Sequence, residues 1–292
     1  MIQPAQVEEA MAAARRVGEQ LKLPLGARSW KGQAGEFQGA GVGSSIDFQD
    51  HRDYAPGDDP RHINWQAFAR TGQYSMKLYR EEVRPVLDLL VDVSDSMWVG
   101  NGKATRTAEL LYFFTLGAER HGASLSVHLV KGEETRAIPT DFVLTHRWVQ
   151  EVESMNGTEE VPQLVRAGLR ANAIRILVSD LLFEAEPGFV LRNLHDRQGT
   201  GLVFSPFTRK EENPEWRGQY DFIEAEKGTR HSHQISASAL QRYQNAYQRH
   251  FALWQEECRK HQVILSRVTS EGDLLTSLNQ EAVRFGALEV ML

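Results

Sequence analysis

The sequence has very little cysteine, since Cys258 is the single cysteine among 292 residues. An intramolecular disulfide is therefore excluded, and a chain of this length can bury a core without one. Long apolar runs are also missing, because the longest ones reach only strand length and a membrane-spanning helix needs ~20 residues. The N-terminus, MIQPAQVEEAMAAARR, lacks the apolar segment of a signal peptide. These absences predict a soluble cytoplasmic protein without a membrane span.

Excess positive charge is absent as well. The chain has 33 Lys and Arg against 39 Asp and Glu, with a net charge of −6. General nucleic-acid binding depends on clustered basic side chains, so we do not expect a nucleic-acid partner. Hydrophobic residues make up 41% and charged residues 25% of the chain, which is ordinary for a globular protein.

Apolar runs of strand length alternate with amphipathic stretches over the second part of the chain. The pattern predicts core strands at 86–91, 125–130, 174–178, 202–207 and 263–268. It predicts helices at 6–21, 105–121, 161–169, 187–195, 236–261 and 274–278. Such alternation is typical of the α/β class, with a doubly wound and mostly parallel sheet. We assign residues 85–292 to this domain. Residues 1–84 form an N-terminal helix and a glycine-rich, irregular, partly β element that we expect to pack on it.

Three oxygen-bearing side chains follow the first buried strand. Asp92, Ser94 and Ser96 alternate in the loop after it, and alternate residues of an extended loop point the same way. Ligands of open α/β sheets bind beyond the carboxyl ends of the strands, where this loop lies. Oxygen ligands without Cys or His favour Mg²⁺, with Mn²⁺ or Ca²⁺ as alternatives to it, over zinc.

A second carboxylate is available to balance the charge of such a cation. Asp180 follows the buried strand at 174–178, so it lies at the same sheet edge as Asp92. Thr158, after Asn156 and Gly157, can add a third hydroxyl. A simpler alternative is that Asp92 and Ser94 only cap the helix that follows.

The pattern resembles the metal-ion-dependent adhesion site of von Willebrand factor A domains. The features they share are Asp-x-Ser-x-Ser after the first strand, Gly-Thr before a later helix, and Asp at the end of the next strand. Carried over residue by residue, the resemblance implies a metal site made of Asp92, Ser94, Ser96, Thr158 and Asp180.

A second resemblance covers residues 43–82. The stretches GSSIDF from Gly43, RDYAPGDDPRHINW from Arg52 and ARTG from Ala69 are similar to the signature of the bacterial family catalogued as domain of unknown function 58. Asn64 stands where that signature usually has Asp. Members pair the signature with a von Willebrand factor A-like domain, and the resemblance implies a MoxR-type AAA+ ATPase as partner. The signature segment itself is either a structural clasp or a partner surface.

Three functions are compatible with these residues. The first, which we favour, is a non-enzymatic module whose metal binds an acidic side chain of a protein partner. The second is a metal-dependent hydrolase acting on a phosphate ester, but such enzymes usually need more carboxylates, a second metal or a general base. The third is a structural domain with a vestigial site. A phosphate loop at Gly100–Lys103 is excluded, because Ala104 stands where Ser or Thr is required.

Overall fold

A computed structural model describes residues 2–25, 46–56, 60–81, 84–157, 161–225 and 228–291. The chain divides into two compact units, one made of Met1–Lys31 with Pro85–Leu292 and the other of Gly32–Arg84. The N-terminal helix therefore shares a unit with the large domain. Thr158 of the predicted metal site lies outside the described residues, as do Gly43 and Asp58 of the signature segment.

The strands are β1 (Leu21–Lys22), β2 (Ile46–Asp53), β3 (Ser75–Glu81), β4 (Val86–Asp92), β5 (Ser124–Lys131), β6 (Glu134–Ile138), β7 (Ile174–Val178), β8 (Thr200–Phe207), β9 (Gly218–Ile223), β10 (Arg230–Ile235), β11 (Ile264–Thr269) and β12 (Glu289–Val290). The α-helices are α1 (Pro4–Val17), α2 (Trp65–Thr71), α3 (Asn101–Arg120), α4 (Thr140–Leu144), α5 (Trp148–Glu153), α6 (Pro187–His195), α7 (Arg209–Glu212), α8 (Ala237–Lys260) and α9 (Leu274–Leu278).

Six strands form the central sheet of the larger unit, in the order β11-β8-β7-β4-β5-β6. All neighbours are parallel except β6, which pairs antiparallel with β5. The protein therefore has the predicted α/β fold with a mostly parallel, doubly wound sheet, and all five predicted core strands are present. No helix among the described residues is both long and apolar enough to cross a bilayer.

The order of the strands places a switch point at the centre of the sheet. From β4 the chain continues to β5 and β6 on one side, and it then returns to β7 on the other side of β4. Val91 of β4 is the register partner of Val178 of β7, so the two strands end side by side. Ligands of doubly wound sheets bind at such a point, outside the carboxyl ends of the strands.

Two apolar layers cover the faces of the sheet. On one face, α1, α3 and α9 contribute to a core that includes Leu89, Phe114 and Trp148. On the other face, α6 and α8 pack around Leu177 and Trp254. Central strands that are buried on both faces need apolar side chains on both, which explains the unbroken apolar runs in the sequence.

Several parts of the chain differ from the sequence predictions. The helix predicted at 161–169 is absent, and a 3₁₀ turn at Leu164–Ala167 stands in its place. Gly168 ends the turn with a left-handed φ of 62°, which an α-helix cannot continue. An exposed hairpin of β9 and β10 was not predicted, because its polar side chains carry no burial pattern.

The smaller unit is more regular than the sequence indicated. Strands β2 and β3 pair antiparallel, and α2 lies between them in the chain. Asn64 caps α2, since its side chain accepts a hydrogen bond from the backbone N–H of Ala67 at 3.1 Å. Asn and Asp are comparable N-caps, so the departure from the usual Asp preserves this contact. The rings of Trp65, Phe68 and Tyr74 pack together as expected from their apolar character.

A buried ion pair connects β4 to the segment before β7. Asp88 is fully buried, and its carboxylate accepts hydrogen bonds from Arg170 Nε at 2.6 Å and from the Arg170 backbone N–H at 2.8 Å. The Arg170 guanidinium also donates to the carbonyl of Leu87 and to that of Ser124. Arg170 therefore joins β4 to the start of β5 at the sheet edge opposite the predicted metal site.

We predict that Asp88→Ala lowers the free energy of unfolding by about 2 kcal/mol, because it removes the buried carboxylate that accepts two hydrogen bonds from the partly exposed Arg170. Urea denaturation measures this loss. Asp221→Ala is the control, since it removes a carboxylate whose ion pair with Arg230 is exposed and should cost less than about 1 kcal/mol. Equal losses in the two variants would contradict a structural role for the buried pair.

Candidate functional site

The end of β4 places the first three predicted metal ligands together. Asp92 is the last residue of the strand, and the backbone N–H of Ser94 donates to its Oδ1 at 3.0 Å. The hydroxyl oxygens of Ser94 and Ser96 lie 3.2 Å apart. The sequence predicted an extended loop. The structure differs, because Ser96 lies in a 3₁₀ turn at Asp95–Trp98. The two hydroxyls therefore converge through this turn rather than by strand-like alternation.

The capping alternative accounts for only part of this geometry. Ser94 precedes the 3₁₀ turn but makes no side-chain capping hydrogen bond to it. The residue before α3 is Gly100, which has no side chain to cap that helix. Asp92 instead orders its own loop, and it does so with one carboxylate oxygen.

The end of β7 brings in the second carboxylate. Asp180 is only 2% exposed, and Asp92 is 1% exposed. Ser179 Oγ donates to Asp92 Oδ2 at 2.7 Å, so the ends of β4 and β7 are joined directly. The backbone N–H of Leu182 donates to Asp180 Oδ1 at 3.0 Å. Both carboxylates are thus held in place by the chain around them.

The turn after β7 is strained. Leu181, which is fully buried, has a φ of 60°, a region that residues with a side chain rarely adopt. His250 Nε2 lies 2.7 Å from the Leu181 carbonyl oxygen, and this contact ties the turn to α8. Strained backbone of this kind clusters at functional sites, where surrounding contacts maintain it.

A lysine that we had not predicted as part of the site contacts its second carboxylate. Lys103 Nζ lies 2.7 Å from Asp180 Oδ2 and 2.6 Å from Glu211 Oε1, and the lysine side chain is 1% exposed. Burial alone would lower the pKa of Lys103, but the charges of Asp180 and Glu211 outweigh burial and raise it. Lys103 therefore carries a permanent positive charge at the site.

The carboxyl group of Asp92 titrates far above its usual range. Burial raises its pKa from 3.8 to about 6, and the nearby charge of Asp180 adds to the rise. Hydrogen bonds from Ser179 and Ser94 act in the opposite direction. The rise therefore reflects first the loss of solvent around the carboxylate and second the negative charge of Asp180.

The segment before Thr158 lies against the end of β5. A Cβ atom on Gly157 would fall 1.8 Å from the carbonyl oxygen of Lys131, so only glycine permits this approach. Lys131 Nζ also donates to Asp95 Oδ1 at 2.8 Å. Gly157 is therefore close to the loop that carries Ser94 and Ser96.

The donor set of the described residues fits a hard divalent cation. It consists of two buried carboxylates and two hydroxyls, which are the oxygen ligands that Mg²⁺ accepts. Within the described part of the chain, no three His, Cys, Asp or Glu side chains cluster in a way that could hold a metal. A site here would therefore depend on hydroxyls and water to complete its coordination.

Sequence reasoning missed three residues that shape the site: Lys103, Ser179 and Glu211. One signal for Lys103 was available, because it lies in the first turn of a helix whose following turns are almost entirely buried. A lysine in that position needs a buried counter-charge. Glu211 had no comparable signal, since only the tertiary fold brings α7 to α3.

Titration of Asp92 leads to a prediction about stability in EDTA. Its pKa is about 6 in the folded chain and near 3.8 when unfolded, so the folded state holds the proton more tightly. That stabilisation is present below about pH 4 and is lost as the pH rises through about 6, by on the order of 3 kcal/mol. Urea denaturation of the wild type and of Asp92→Asn, which cannot titrate, measures the loss as a pH-dependent difference. A difference that stays constant from about pH 4 to 7 would refute the assignment.

Comparisons with known proteins identify the family. The family model described as Protein of unknown function DUF58 matches residues 50–252. BatB, a conserved hypothetical protein from Bacteroides thetaiotaomicron, has a crystal structure that aligns at 11% identity over 68% of this chain and 98% of its own, with a TM-score of 0.39. An aerotolerance-related membrane protein from Bacteroides fragilis aligns at 11% identity over 68% of this chain and 99% of its own, with a TM-score of 0.37. Comparison with curated protein sequences found no significant match. The family match spans well over half of the sequence, and the chain belongs to the DUF58 family.

Proposed function

We propose that this chain is a metal-dependent protein–protein interaction module and not an enzyme. One Mg²⁺, or alternatively Mn²⁺ or Ca²⁺, would be held by Asp92, Ser94, Ser96 and Asp180, with Thr158 as the fifth ligand inferred from the resemblance. The observation that supports the proposal is the convergence of two buried carboxylates and two hydroxyls at the switch point of the sheet.

The protein side chains would supply some of the cation's ligands and leave at least one coordination position open. Asp92 and Asp180 supply two negative charges, which balance those of a divalent cation, while Ser94 and Ser96 supply neutral oxygens that add no further negative charge. A bound cation would act as a Lewis acid that attracts an outside carboxylate to its open coordination position. We propose that a protein partner supplies this Asp or Glu side chain.

The family resemblance suggests the partner class. A MoxR-type AAA+ ATPase, or a protein that it remodels, is the first candidate, and the chain would serve as its adaptor or cofactor. Phosphate-ester hydrolysis is the alternative, but it lacks a supporting observation. Two-metal hydrolases need several clustered carboxylates. The carboxylate of Asp95, the other acidic residue of the loop, forms an ion pair with Lys131.

Cation binding should be visible as thermal stabilisation. A ligand that binds only the folded state raises its stability by about 2.7 kcal/mol at a concentration of a hundred times Kd. Mg²⁺ should therefore raise the Tm of the wild type but not that of Asp92→Ala or Asp180→Ala. Asp221→Ala, which removes a carboxylate from the exposed hairpin, should respond as the wild type does. An equal rise of Tm in all four proteins would place the metal elsewhere.

Partner binding should depend on the same cation. We expect a MoxR-type ATPase from the same organism to bind the purified chain in Mg²⁺, with loss of binding in EDTA and in Asp92→Ala. Neutralising one critical acidic side chain on the ATPase should abolish binding too. Biolayer interferometry with the immobilised chain measures all three effects. Equal binding in EDTA would make the cation structural and direct attention to the signature segment around Asp58, Arg61 and Trp65, of which Trp65 is 56% exposed.

A further inference from the structure

Lys103 is an unexpected neighbour for a metal ligand. Its ammonium group is buried and donates to Asp180 Oδ2 at 2.7 Å. A site that served only to bind a divalent cation tightly would exclude a second positive charge, because like charges repel strongly where water is scarce. The contact between Lys103 and Asp180 therefore requires an explanation beyond simple charge balance in a metal site.

Glu211, the other partner of Lys103, is fixed in position by several contacts. Thr208 and Glu211 form a capping box, in which the Thr208 backbone N–H donates to Glu211 Oε2 at 2.7 Å and the Glu211 backbone N–H donates to Thr208 Oγ1 at 3.2 Å. Tyr243 Oη donates to the carbonyl oxygen of Glu211 at 2.7 Å. The other oxygen of Glu211, Oε1, faces Lys103. Lys103 thus bridges the candidate metal site and the beginning of α7.

We propose that Lys103 is an internal positive charge that lowers the cation affinity of the site, and that Glu211 sets how strongly it does so. This inference rests on the proposed function, because it concerns the affinity of the same site. Lys103 is a positioning residue here, since it acts through Asp180 and is not itself a ligand.

The charges of the four groups support this role. Asp92 and Asp180 together carry two negative charges, and Lys103 offsets one of them. The site then attracts a divalent cation less strongly than two free carboxylates would. Glu211 draws the Lys103 ammonium toward itself, and its own negative charge partly restores the attraction. The affinity of the site for a cation therefore depends on the position of α7.

Lys103 also keeps the site assembled before a cation arrives. Without a positive charge nearby, the buried carboxylates of Asp92 and Asp180 would repel each other, and so would those of Asp180 and Glu211. Lys103 offsets both repulsions from one position. A site organised in this way loses less conformational freedom on binding, although its final affinity is moderate.

Two substitutions in the purified full chain should change the affinity in opposite directions. Lys103→Met removes the positive charge and should bind Mg²⁺ at least about tenfold more tightly, since the repulsion acts over a few ångströms in a site with little water. It should also lower the Tm in EDTA, because Asp180 and Glu211 lose their shared counter-charge. Glu211→Gln should bind Mg²⁺ about threefold to tenfold more weakly, because it removes a negative charge and the Lys103 ammonium then forms an ion pair with Asp180 alone.

Titration calorimetry with MgCl₂ alone measures these affinities. Lys131→Met is the matched control, because Lys131 lies at the same sheet edge but pairs with Asp95, whose side chain is 47% exposed. Its affinity should change no more than about threefold, since solvent screens that pair. If Lys103→Met does not fold, Glu211→Gln still tests the inference, because unchanged or tighter Mg²⁺ binding by this variant would refute it.

The outcomes separate this inference from the proposed function. If the wild type does not bind Mg²⁺, the proposed function is wrong and this inference falls with it. If the wild type binds Mg²⁺ but Lys103→Met binds it equally or more weakly, only the role of Lys103 is refuted. A purely structural Lys103 would make both substitutions weaken binding, whereas opposite changes support an electrostatic role.

Discussion

Close burial of two carboxylates at one sheet edge is the constraint on which this site depends. The parallel register of β4 and β7 makes Val91 and Val178 partners, so Asp92 at the end of β4 and Asp180, two residues beyond β7, lie at the same sheet edge. Water cannot reach either group freely, and the repulsion between them contributes to the raised pKa of Asp92. The surrounding structure has to compensate for that repulsion with hydrogen-bond donors, positive charge or both.

The chain provides both kinds of compensation. Ser179 and the backbone N–H of Ser94 donate to Asp92, while Lys103 and the backbone N–H of Leu182 donate to Asp180. These donors come from the two strand ends and from α3, so the site is held by the same elements that form the core. Oxygen atoms of these types are the ligands that a small, hard cation accepts.

Prediction from the sequence succeeded where burial left a periodic pattern. The strands at the centre of the sheet are apolar on both faces, and α8 carries its buried side chains, such as Tyr247, Phe251 and Trp254, at helical spacing. Prediction from the sequence failed where side chains are little buried or where a residue breaks the helical backbone. The β9–β10 hairpin is largely exposed and leaves no apolar pattern, and the stretch at 161–169 is interrupted by the left-handed backbone of Gly168.

The sequence by itself determined the five core strands, the fold class and the residue types at the strand ends. Asp92, Ser94, Ser96 and Asp180 could be identified because the carboxyl ends of parallel strands share one edge. Only the tertiary structure decided that the two hydroxyls meet through a 3₁₀ turn and that Lys103 reaches Asp180 and Glu211. Those contacts join residues far apart in the chain, and their charges interact through space at distances that no local pattern encodes.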